Sequence, residues 1–537
     1  MGLFEHFPYT NFHDLNLDWL VEAMKKLGEE VENYDAHIEE SVDEWLAAHP
    51  EYVTTVVDGS LTLPKFAESL KMLTVNDYVT PEMFGAVGDG VADDTAAVQS
   101  AINDSMKTVV LIGTYRITAK LDAASNKRLY GLPGATLRWD NVAGATYLFG
   151  GSGLSDIKIE NITFDCGAQL ETRHAISLFT SSNLVFIGCI FKNSYGYVTR
   201  FNDSSNILIK DCAFEDITGA AGNPGGAIYG QDMSDLTVTG CRCKNIGDHF
   251  LYSAGVTEAK NIIISDCNLA TCGANGLTSG SAITLYANTH DVTISNCIFD
   301  SCREGIYAGV YSSYDTLPSK VSISNCILKN TTVNGMTLFG ISESNRIKQF
   351  TVDNCQIDTA GQDGISIRHA ERFQMNNIII DKSRRMGLEV SDTTASMFSQ
   401  FQITENSDNG VLVGRGSTGA SSYNIFSDFY ITAAAGAGAG AIGFYLRQGN
   451  YNVLNSIRVF SYPRNYGRGG AYNIWSSDSG ETAVTRSLSF TNDITAIEYH
   501  NVGDVVFNST PTSGAPALWI CTVAGAPGTM KPVATIS

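Results

Sequence analysis

A pattern that recurs about every 28 residues constrains the fold of this chain more than any other feature. Between residues 185 and 357, seven stretches of alternating apolar and polar residues each lead to a glycine, aspartate or asparagine and then a cysteine. The cysteines, 23 to 30 residues apart, are Cys189, Cys212, Cys241, Cys267, Cys297, Cys326 and Cys355. A second strand-like stretch follows a glycine in the same repeats, as in Gly305-Ile-Tyr-Ala and Gly364-Ile-Ser-Ile. Strand segments at a fixed period, without helices between them, predict a solenoid of parallel strands.

The solenoid is predicted to be a right-handed parallel β-helix, because crossovers between parallel strands are almost always right-handed. A leucine-rich-repeat solenoid is the alternative, but its leucine and asparagine pattern does not occur in these repeats. Stacked coils would place the cysteines above one another in the core, as small apolar residues. Metal ligands converge on one point, whereas these cysteines would be spaced along an axis at ~4.8 Å per coil. We therefore expect free thiols, no metal site and no cofactor.

The rest of the chain predicts smaller segments at either end of the solenoid. A heptad spacing of apolar residues predicts an α-helical coiled-coil stalk in residues 1–50, with an amphipathic helix packed on its own domain as the alternative. The heptad residues are Leu17, Met24, Val31, Ile38 and Trp45. Residues 51–81 are predicted to form a neck and residues 82–481 the mainly β solenoid. Residues 482–537 lose the period and predict a small C-terminal β-domain.

The charge of the chain excludes several classes of partner. It has 35 Lys and Arg against 56 Asp and Glu, a net charge of −21. Such a surface repels phosphate backbones, so we expect no nucleic-acid partner. The sequence shows neither a basic region followed by an apolar run of signal-peptide length nor ~20 consecutive apolar residues. We therefore expect synthesis in a cytosol and no membrane insertion.

Four stretches resemble parts of phage appendages. Tyr78-Val-Thr-Pro-Glu-Met-Phe-Gly-Ala-Val-Gly-Asp-Gly resembles the opening motif of pectate-lyase-like β-helix proteins of phage tail spikes. Residues 57–70 resemble the neck of many phage tail fibres. Gly503-Asp-Val-Val-Phe-Asn is similar to a small terminal module of such spikes. Phe7-Pro-Tyr-Thr-Asn-Phe-His-Asp resembles the virion-attachment end of appendages in phages of Gram-positive hosts.

The resemblance implies a homotrimeric tail spike or receptor-binding appendage of a bacteriophage. It would be assembled in the host cytoplasm and attached through residues 1–50 to tail or collar proteins of the virion. Its role would be adsorption to a capsular or cell-wall glycan of the host, with or without cleavage of that glycan by hydrolysis or elimination. A non-viral carbohydrate-active enzyme with the same fold is the alternative. The clustered Asn-Thr-Asp, Asp-Asp and Gly-His-Gly motifs of polygalacturonases are missing, and Asp93-Asp94 is explained by helix capping.

Glycosidic bond cleavage would require two carboxyl groups directed at one bond. Aligning the second strands by their glycine turns gives one residue before the strand in each coil. These residues are Asp248, Ser281, Glu304, Asn334, Asp363, Met386 and Asn409. Glu304 and Asp363 are two coils apart, ~9.6 Å, close to the ~6.5–9.5 Å that suits an inverting hydrolase. Asp248, two coils before Glu304, and Glu389 are further candidates. Ordinary turn chemistry also explains Asp-Gly and Asn-Gly pairs.

Aromatic and cationic side chains near these carboxyls are candidate glycan-binding groups. Aromatic rings stack on the apolar faces of sugars, and the candidates are Tyr307, Tyr311, Tyr466 and Trp475. Arg368 could bind an anionic sugar through two hydrogen bonds, and His369 could titrate near neutral pH. For each of them a solvated surface or packing role is the alternative. Arg384-Arg385 is predicted to be a solvated turn.

Overall fold

The computed structural model describes the chain from Tyr78 onward, with short gaps. Backbone and side chains are described in residues 78–140, 146–167, 174–219, 225–273, 280–310, 316–414, 421–449 and 451–462. Beyond residue 462 the description covers the backbone of six strands. The predicted coiled coil of residues 1–50, most of the neck and Tyr311 lie outside the described residues. The limits of the predicted domains stay predictions.

The described chain between Tyr78 and Ser476 winds as a parallel β-helix, which confirms the predicted solenoid. Each coil adds a strand to three stacks, here called sheets 1, 2 and 3, and every pairing within them is parallel. Sheet 1 contains β1 (Tyr78–Val79), β3 (Thr108–Leu111), β6 (Lys127–Gly131), β9 (Ser155–Glu160), β12 (Ser182–Ile187), β15 (Ser205–Lys210), β18 (Ser234–Thr239), β25 (Ser319–Ser324) and β38 (Ile474–Ser476).

Sheet 2 follows sheet 1 in each coil after a tight corner. Its strands are β2 (Asp89–Asp93), β4 (Thr114–Ile117), β7 (Thr136–Trp139), β10 (Thr163–Asp165), β13 (Ile190–Ser194), β16 (Ala213–Ile217), β19 (Arg242–Ile246), β21 (Asn268–Ala270), β23 (Ile298–Asp300) and β26 (Ile327–Thr331). Five longer strands turn this corner and contribute to both sheets. They are β28 (Ile347–Ala360), β30 (Gln374–Asp381), β32 (Met397–Asn406), β34 (Ile425–Ala433) and β36 (Val453–Phe460).

Sheet 3 completes the coil and carries the candidate site. Its strands are β5 (Leu121–Asp122), β8 (Tyr147–Ser152), β11 (His174–Phe179), β14 (Thr199–Asn202), β17 (Ile228–Gln231), β24 (Ile306–Gly309), β27 (Met336–Phe339), β29 (Ile365–Glu371), β31 (Leu388–Thr394), β33 (Val411–Val413), β35 (Ile442–Leu446) and β37 (Arg464–Arg468). Two long strands, β20 (Leu251–Ser265) and β22 (Ile283–Ser295), run from sheet 3 into sheet 1. A separate sheet contains β39 (Ser489–Phe490), β40 (Val505–Phe507), β41 (Pro516–Val523) and β42 (Thr529–Thr535).

The core consists of columns of side chains that stack from coil to coil. The seven repeat cysteines are buried and unpaired. Phe164, Phe191 and Phe214 form a neighbouring column, with ring centroids 5.1 Å apart at each step. This arrangement confirms the predicted cysteine ladder, because a small apolar side chain at each level fills the corner between sheets 1 and 2.

The residue before each cysteine has a physical reason to be Gly, Asp or Asn. These residues all have φ between 53° and 65°, the left-handed region that asparagine, aspartate and glycine tolerate best. The asparagines also link coils, since Asn354 Nδ2 donates to Asn325 Oδ1 at 2.6 Å and Asn377 Nδ2 donates to Asn354 Oδ1 at 2.8 Å. The corner therefore selects these residue types through both the backbone and the side chain.

Helical structure in the described residues is confined to the start of the solenoid. A 3₁₀ helix covers Pro81–Phe84, and helix α1 covers Thr95–Asn103 with its apolar face buried. Asp94 occupies the predicted N-cap position, but its carboxylate does not cap the helix. It accepts hydrogen bonds from Val87 N at 2.7 Å and Gly88 N at 3.2 Å, so it fixes the glycine-rich turn. Among the helices of the described residues, none is long and apolar enough to cross a bilayer.

We expect Cys297→Tyr to lower the free energy of unfolding by ~1–3 kcal/mol or more, because the enlarged side chain overfills a closed column. Cys297→Ala, the control, removes one buried sulfur atom and should cost only about 1 kcal/mol. Denaturant titration measures both values. Equal stability of the tyrosine variant and the parent would contradict the packing argument.

The native protein should also react slowly with a thiol reagent, because its eleven described cysteines are buried.

Candidate active site

An open pocket of about 500 Å³ lies on the outer face of sheet 3, across β24, β27 and β29. Its floor contains Tyr307, Thr337 and Ser366, which pair in register on these three strands. Side chains alternate along a strand, so the preceding residues Ile306 and Met336 point into the core while the floor residues face the pocket. The floor is therefore a direct product of coil stacking.

One edge of the pocket is formed by the corner residues that precede sheet 3. Register places Ser281, Glu304, Asn334 and Asp363 at equivalent levels in successive coils, as predicted. Leu251 pairs with Ile283, so the residue level with Ser281 in the preceding coil is His249. The prediction that Asp248 occupies this row was wrong by one residue. The other coils mark the register with Gly or Ala before the strand, whereas this coil has Phe250 there.

Glu304 lines the pocket and is 6% exposed. Its Oε2 accepts a hydrogen bond from Ser281 Oγ at 3.2 Å, and its Oε1 accepts one from Thr337 Oγ1 at 3.3 Å. Burial raises the pKa of Glu304 above its ordinary value, and the charge of Arg303 partly counteracts this effect. A carboxyl held by hydroxyl groups, with a raised pKa, is suited to donate a proton.

Two other predicted carboxylates, Asp363 and Glu389, are fully buried, each beneath an arginine. Arg385 contacts both oxygens of Asp363, with Nε 2.7 Å from Oδ1, and Met386 N donates to the same oxygen at 3.2 Å. Arg368 binds Glu389 through Nε at 3.2 Å and Nη2 at 3.1 Å. Burial raises the pKa of Asp363, against the opposing effect of Arg385. The pairs fix two guanidinium groups at the pocket wall.

The position of Arg385 corrects the prediction that Arg384-Arg385 is a solvated turn. Arg385 lines the pocket and bonds a buried aspartate from the preceding coil, 22 residues earlier in the chain. The sequence contained one signal for this contact, because Asp363 and Arg385 are separated along the chain by nearly the length of one coil. Sequence reasoning also missed Arg303 and Phe339 as pocket residues.

Hydrogen bonds connect the corner residues along the solenoid axis. Asp363 N donates to Asn334 Oδ1 at 3.0 Å, and Asn334 Nδ2 donates to Thr337 Oγ1 at 2.9 Å. Since Thr337 donates in turn to Glu304, the orientation of the carboxyl depends on two further coils. The arrangement holds Glu304 in one position relative to the floor.

Asp248 and His249 form a buried cluster on the other side of Ser281. His249 Nε2 lies 3.2 Å from Asp248 Oδ2, and its Nδ1 lies 3.1 Å from Ser281 N. Tyr197 donates its hydroxyl proton to Asp248 Oδ2 at 3.3 Å. Burial raises the pKa of Asp248 and lowers that of His249. Neither residue lines the pocket, and Asp248 is connected to Glu304 through His249 and Ser281 and through the charge of Arg303, which lowers the pKa of both carboxyl groups.

The predicted glycan-binding residues separate into three groups. Tyr307 and Arg368 line the pocket, and the Arg368 guanidinium lies over the Phe339 ring, 4.7 Å from its centroid. His369 does not line the pocket, because its Nδ1 is bonded to Asp392, whose Oδ1 is 2.6 Å from Arg346 Nη2. Two further predictions fall on strands with only backbone described, Tyr466 in β37 and Trp475 in β38.

A strip of three aromatic side chains, which sequence reasoning missed, leads along sheet 3 to the pocket. This tyrosine strip consists of Tyr229, Tyr252 and Tyr286, all half-buried. The rings of Tyr229 and Tyr252 are stacked at 5.6 Å, and those of Tyr252 and Tyr286 at 5.8 Å. The register runs from Tyr229 through Tyr252 and Thr284 to Tyr307. An extended ligand could therefore contact the strip and the pocket together.

We expect Arg385→Gln to destabilise the protein by about 3 kcal/mol, because it leaves Asp363 buried without its partner. This value is at the low end for a buried pair, since the Arg385 side chain is 32% exposed. The double variant Arg385→Gln/Asp363→Asn should regain most of the loss. Arg372→Gln, at a side chain that is 64% exposed, is the control and should change stability by less than about 0.5 kcal/mol. Urea denaturation that shows parent-like stability for Arg385→Gln would refute the pairing.

Known proteins resemble this chain in both sequence and fold. A family described as right handed beta helix region matches residues 147–317 and 281–439. A capsule K30/K69-specific depolymerase of Klebsiella phage K64-1 is 29% identical over 210 residues, which cover 37% of this chain and 22% of that protein. A capsule K1-specific depolymerase of the same phage is 26% identical over 113 residues, 21% of this chain and 11% of that protein. The chain thus covers less than a quarter of either relative.

Among solved structures, a tailspike protein double mutant of E. coli bacteriophage HK620 superposes with a TM-score of 0.55. The match covers 86% of this chain and 91% of that chain at 11% identity, so it shows a shared fold. The family match extends over residues 147–439, more than half of the sequence. The chain therefore belongs to the right-handed β-helix family.

Proposed function

We propose that this protein is a bacteriophage tail spike that binds a polysaccharide of the bacterial surface along the outer face of sheet 3. The observation that carries the proposal is the tyrosine strip, which leads in register to a pocket containing Glu304 and three arginines. The phage capsule depolymerases and the phage tailspike among the similar proteins support the same reading. On this proposal, the protein is a component of the virion and acts at the surface of the host bacterium.

The dimensions of the face favour an oligosaccharide over a single sugar. Tyr229 and Tyr307 are three coils apart and Ser366 lies two coils further, which is ~24 Å in total at ~4.8 Å per coil. The stacked tyrosine rings present their apolar edges to a ligand on this face. A chain of several sugars can therefore contact the strip while one unit occupies the pocket.

For catalysis we propose Glu304 as the general acid that protonates the leaving glycosidic oxygen. It reaches the pocket, and burial raises its pKa. Asp363 and Glu389 would act as positioning residues for Arg385 and Arg368. Asp248 would act on Glu304 through His249 and Ser281. The earlier prediction that Asp363 supplies the second carboxyl stays a prediction, and its arginine pair would have to open. A carboxyl from a neighbouring chain of the trimer is the alternative source.

Adhesion without cleavage is the second candidate function, and one observation favours it. Within the described part of the chain, Glu304 is the only carboxylate that lines the pocket. An inverting hydrolase needs a second carboxylate to activate water. A spike that holds glycan without cutting it needs neither group.

We expect Glu304→Gln to abolish the release of new reducing ends from the host polysaccharide while glycan binding persists. Since the acid must be protonated, turnover should fall as pH rises through the raised pKa of Glu304. Glu215→Gln, on sheet 2, is the control and should cleave at the parental rate. Cleavage by Glu304→Gln at the parental rate would place the site elsewhere. Binding without any cleavage by the parent would favour adhesion.

We also propose a homotrimer whose residues 1–50 attach to tail or collar proteins. The heptad spacing in this segment supports the proposal. Mass measurement under native conditions should give about three times 57.8 kDa. Proteomic analysis of purified phage particles should detect the chain. A monomer at micromolar concentration would contradict the trimer, and a chain absent from particles would favour the non-viral enzyme.

A further inference from the structure

The three arginines that line the pocket differ in how their charges are balanced. Arg368 is paired with Glu389 and Arg385 with Asp363, and both carboxylates are fully buried. Arg303 has no carboxylate within ion-pair distance among the residues that the structure describes. One guanidinium in the pocket therefore forms no salt bridge in the described part of the chain, although its charge lowers the pKa of the neighbouring carboxyl groups of Glu304 and Asp248.

The stacking of the coils explains why Arg303 forms no salt bridge with a residue at the equivalent position of an adjacent coil. Its equivalents in the next three coils are Val333, Gln362 and Arg385, connected by backbone hydrogen bonds of 2.8 to 2.9 Å. On its other side the equivalent residue is Gly280, whose φ is 140°. A Cβ atom at Gly280 would lie 2.9 Å from Gly273 Cα, so the backbone excludes a side chain there. The residues level with Arg303 in the two adjacent coils, Gly280 and Val333, therefore carry no charge, and the carboxylate that approaches from the preceding side is that of Asp248, whose Oδ1 would lie 3.1 Å from a Cβ atom at Gly280.

The backbone of Arg303 is nevertheless held firmly. Its N–H donates to Cys272 O at 2.7 Å, and its carbonyl accepts from Val333 N at 2.8 Å. The side chain thus extends into the pocket from a fixed point, and Glu304 and Tyr307 line the same pocket. A cation held at a fixed point of a pocket suits a negatively charged ligand.

We infer that the pocket binds a sugar unit that carries a carboxylate, with Arg303 as the counter-ion. This inference rests on the proposed binding of polysaccharide. The planar guanidinium can form two parallel hydrogen bonds to a carboxylate, while Tyr307, which is 3% exposed, forms part of the floor beneath the sugar. The net charge of −21 repels a polyanionic glycan, so a local cation is required to hold an acidic sugar.

The charges of the remaining groups agree with a single anionic substituent. The pairs Arg368 with Glu389 and Arg385 with Asp363 are each neutral overall. When Glu304 carries its proton, as its proposed role requires, the pocket has one net positive charge, from Arg303. A neutral sugar would leave this charge unpaired. The carboxylate could belong to a hexuronic acid or to a pyruvate ketal, which present the same chemistry.

The test uses an array of bacterial polysaccharides of known structure. Each acidic member is printed beside its carboxyl-reduced form, and each pyruvylated member beside a form from which mild acid has removed the ketal. The full-length parent, Arg303→Gln, Arg303→Lys and the control Arg242→Gln are applied to it. Arg242 lies on sheet 2 with a side chain that is 60% exposed. Thermal unfolding of each variant verifies that it is folded.

We expect the parent to bind acidic members and to lose about tenfold or more in affinity when the carboxyl is reduced, because a charge-assisted contact disappears. Arg303→Gln should lose a similar factor, Arg303→Lys less, and Arg242→Gln none. Loss on ketal removal would identify pyruvate as the source, and retention would identify the uronic acid. Equal binding before and after reduction, or parental binding by Arg303→Gln, would overturn the inference while glycan binding stands. An absence of binding to every member would overturn both.

Discussion

The backbone hydrogen bonds between successive coils are the interaction on which the rest of this structure depends. Each strand donates to and accepts from its equivalents in neighbouring coils, so equivalent residues repeat at about 4.8 Å. Inside the coil this spacing suits cysteine and phenylalanine columns. At the corners it selects left-handed asparagine and aspartate, whose side chains join one coil to the next. The same spacing determines which side chains become neighbours on the outer face of the solenoid.

Charge in the pocket is distributed under this constraint. Like charges at the same position of adjacent strands repel each other, and the corner row avoids this by placing Asn334 between Glu304 and Asp363. The two fully buried carboxylates are each paired with an arginine, Asp363 with Arg385 from the following coil and Glu389 with Arg368 from the same face. The pocket consequently keeps several charged groups within a few coils without stacking two carboxylates directly.

The sequence carried enough information for the fold and for part of the site. The 28-residue period predicts the stacking, and the glycine turns align Glu304, Asn334 and Asp363 correctly. In one coil Phe250 stands where the other coils have Gly or Ala before the strand. The sequence alignment therefore shifted by one residue and selected Asp248, whereas the structure has His249 at this position. Arg385 was missed because its partner is fixed by inter-coil register and rotamer, which a dipeptide such as Arg384-Arg385 does not encode. Likewise, Asp94 has a capping residue's position but bonds the turn before it.

The even spacing of the tyrosine strip has a consequence for the motion of a long polymer on this surface. The rings are stacked on one another, so a ligand on the strip would meet a row of similar ring edges. A bound polymer that shifted by one coil would exchange each of these contacts for an equivalent one, so no single register would be strongly preferred. Complete release breaks all the contacts together. Such a surface permits one-dimensional diffusion along a polysaccharide while it retains the strand, and the pocket, with its fixed charges, is the point where a sliding chain would pause.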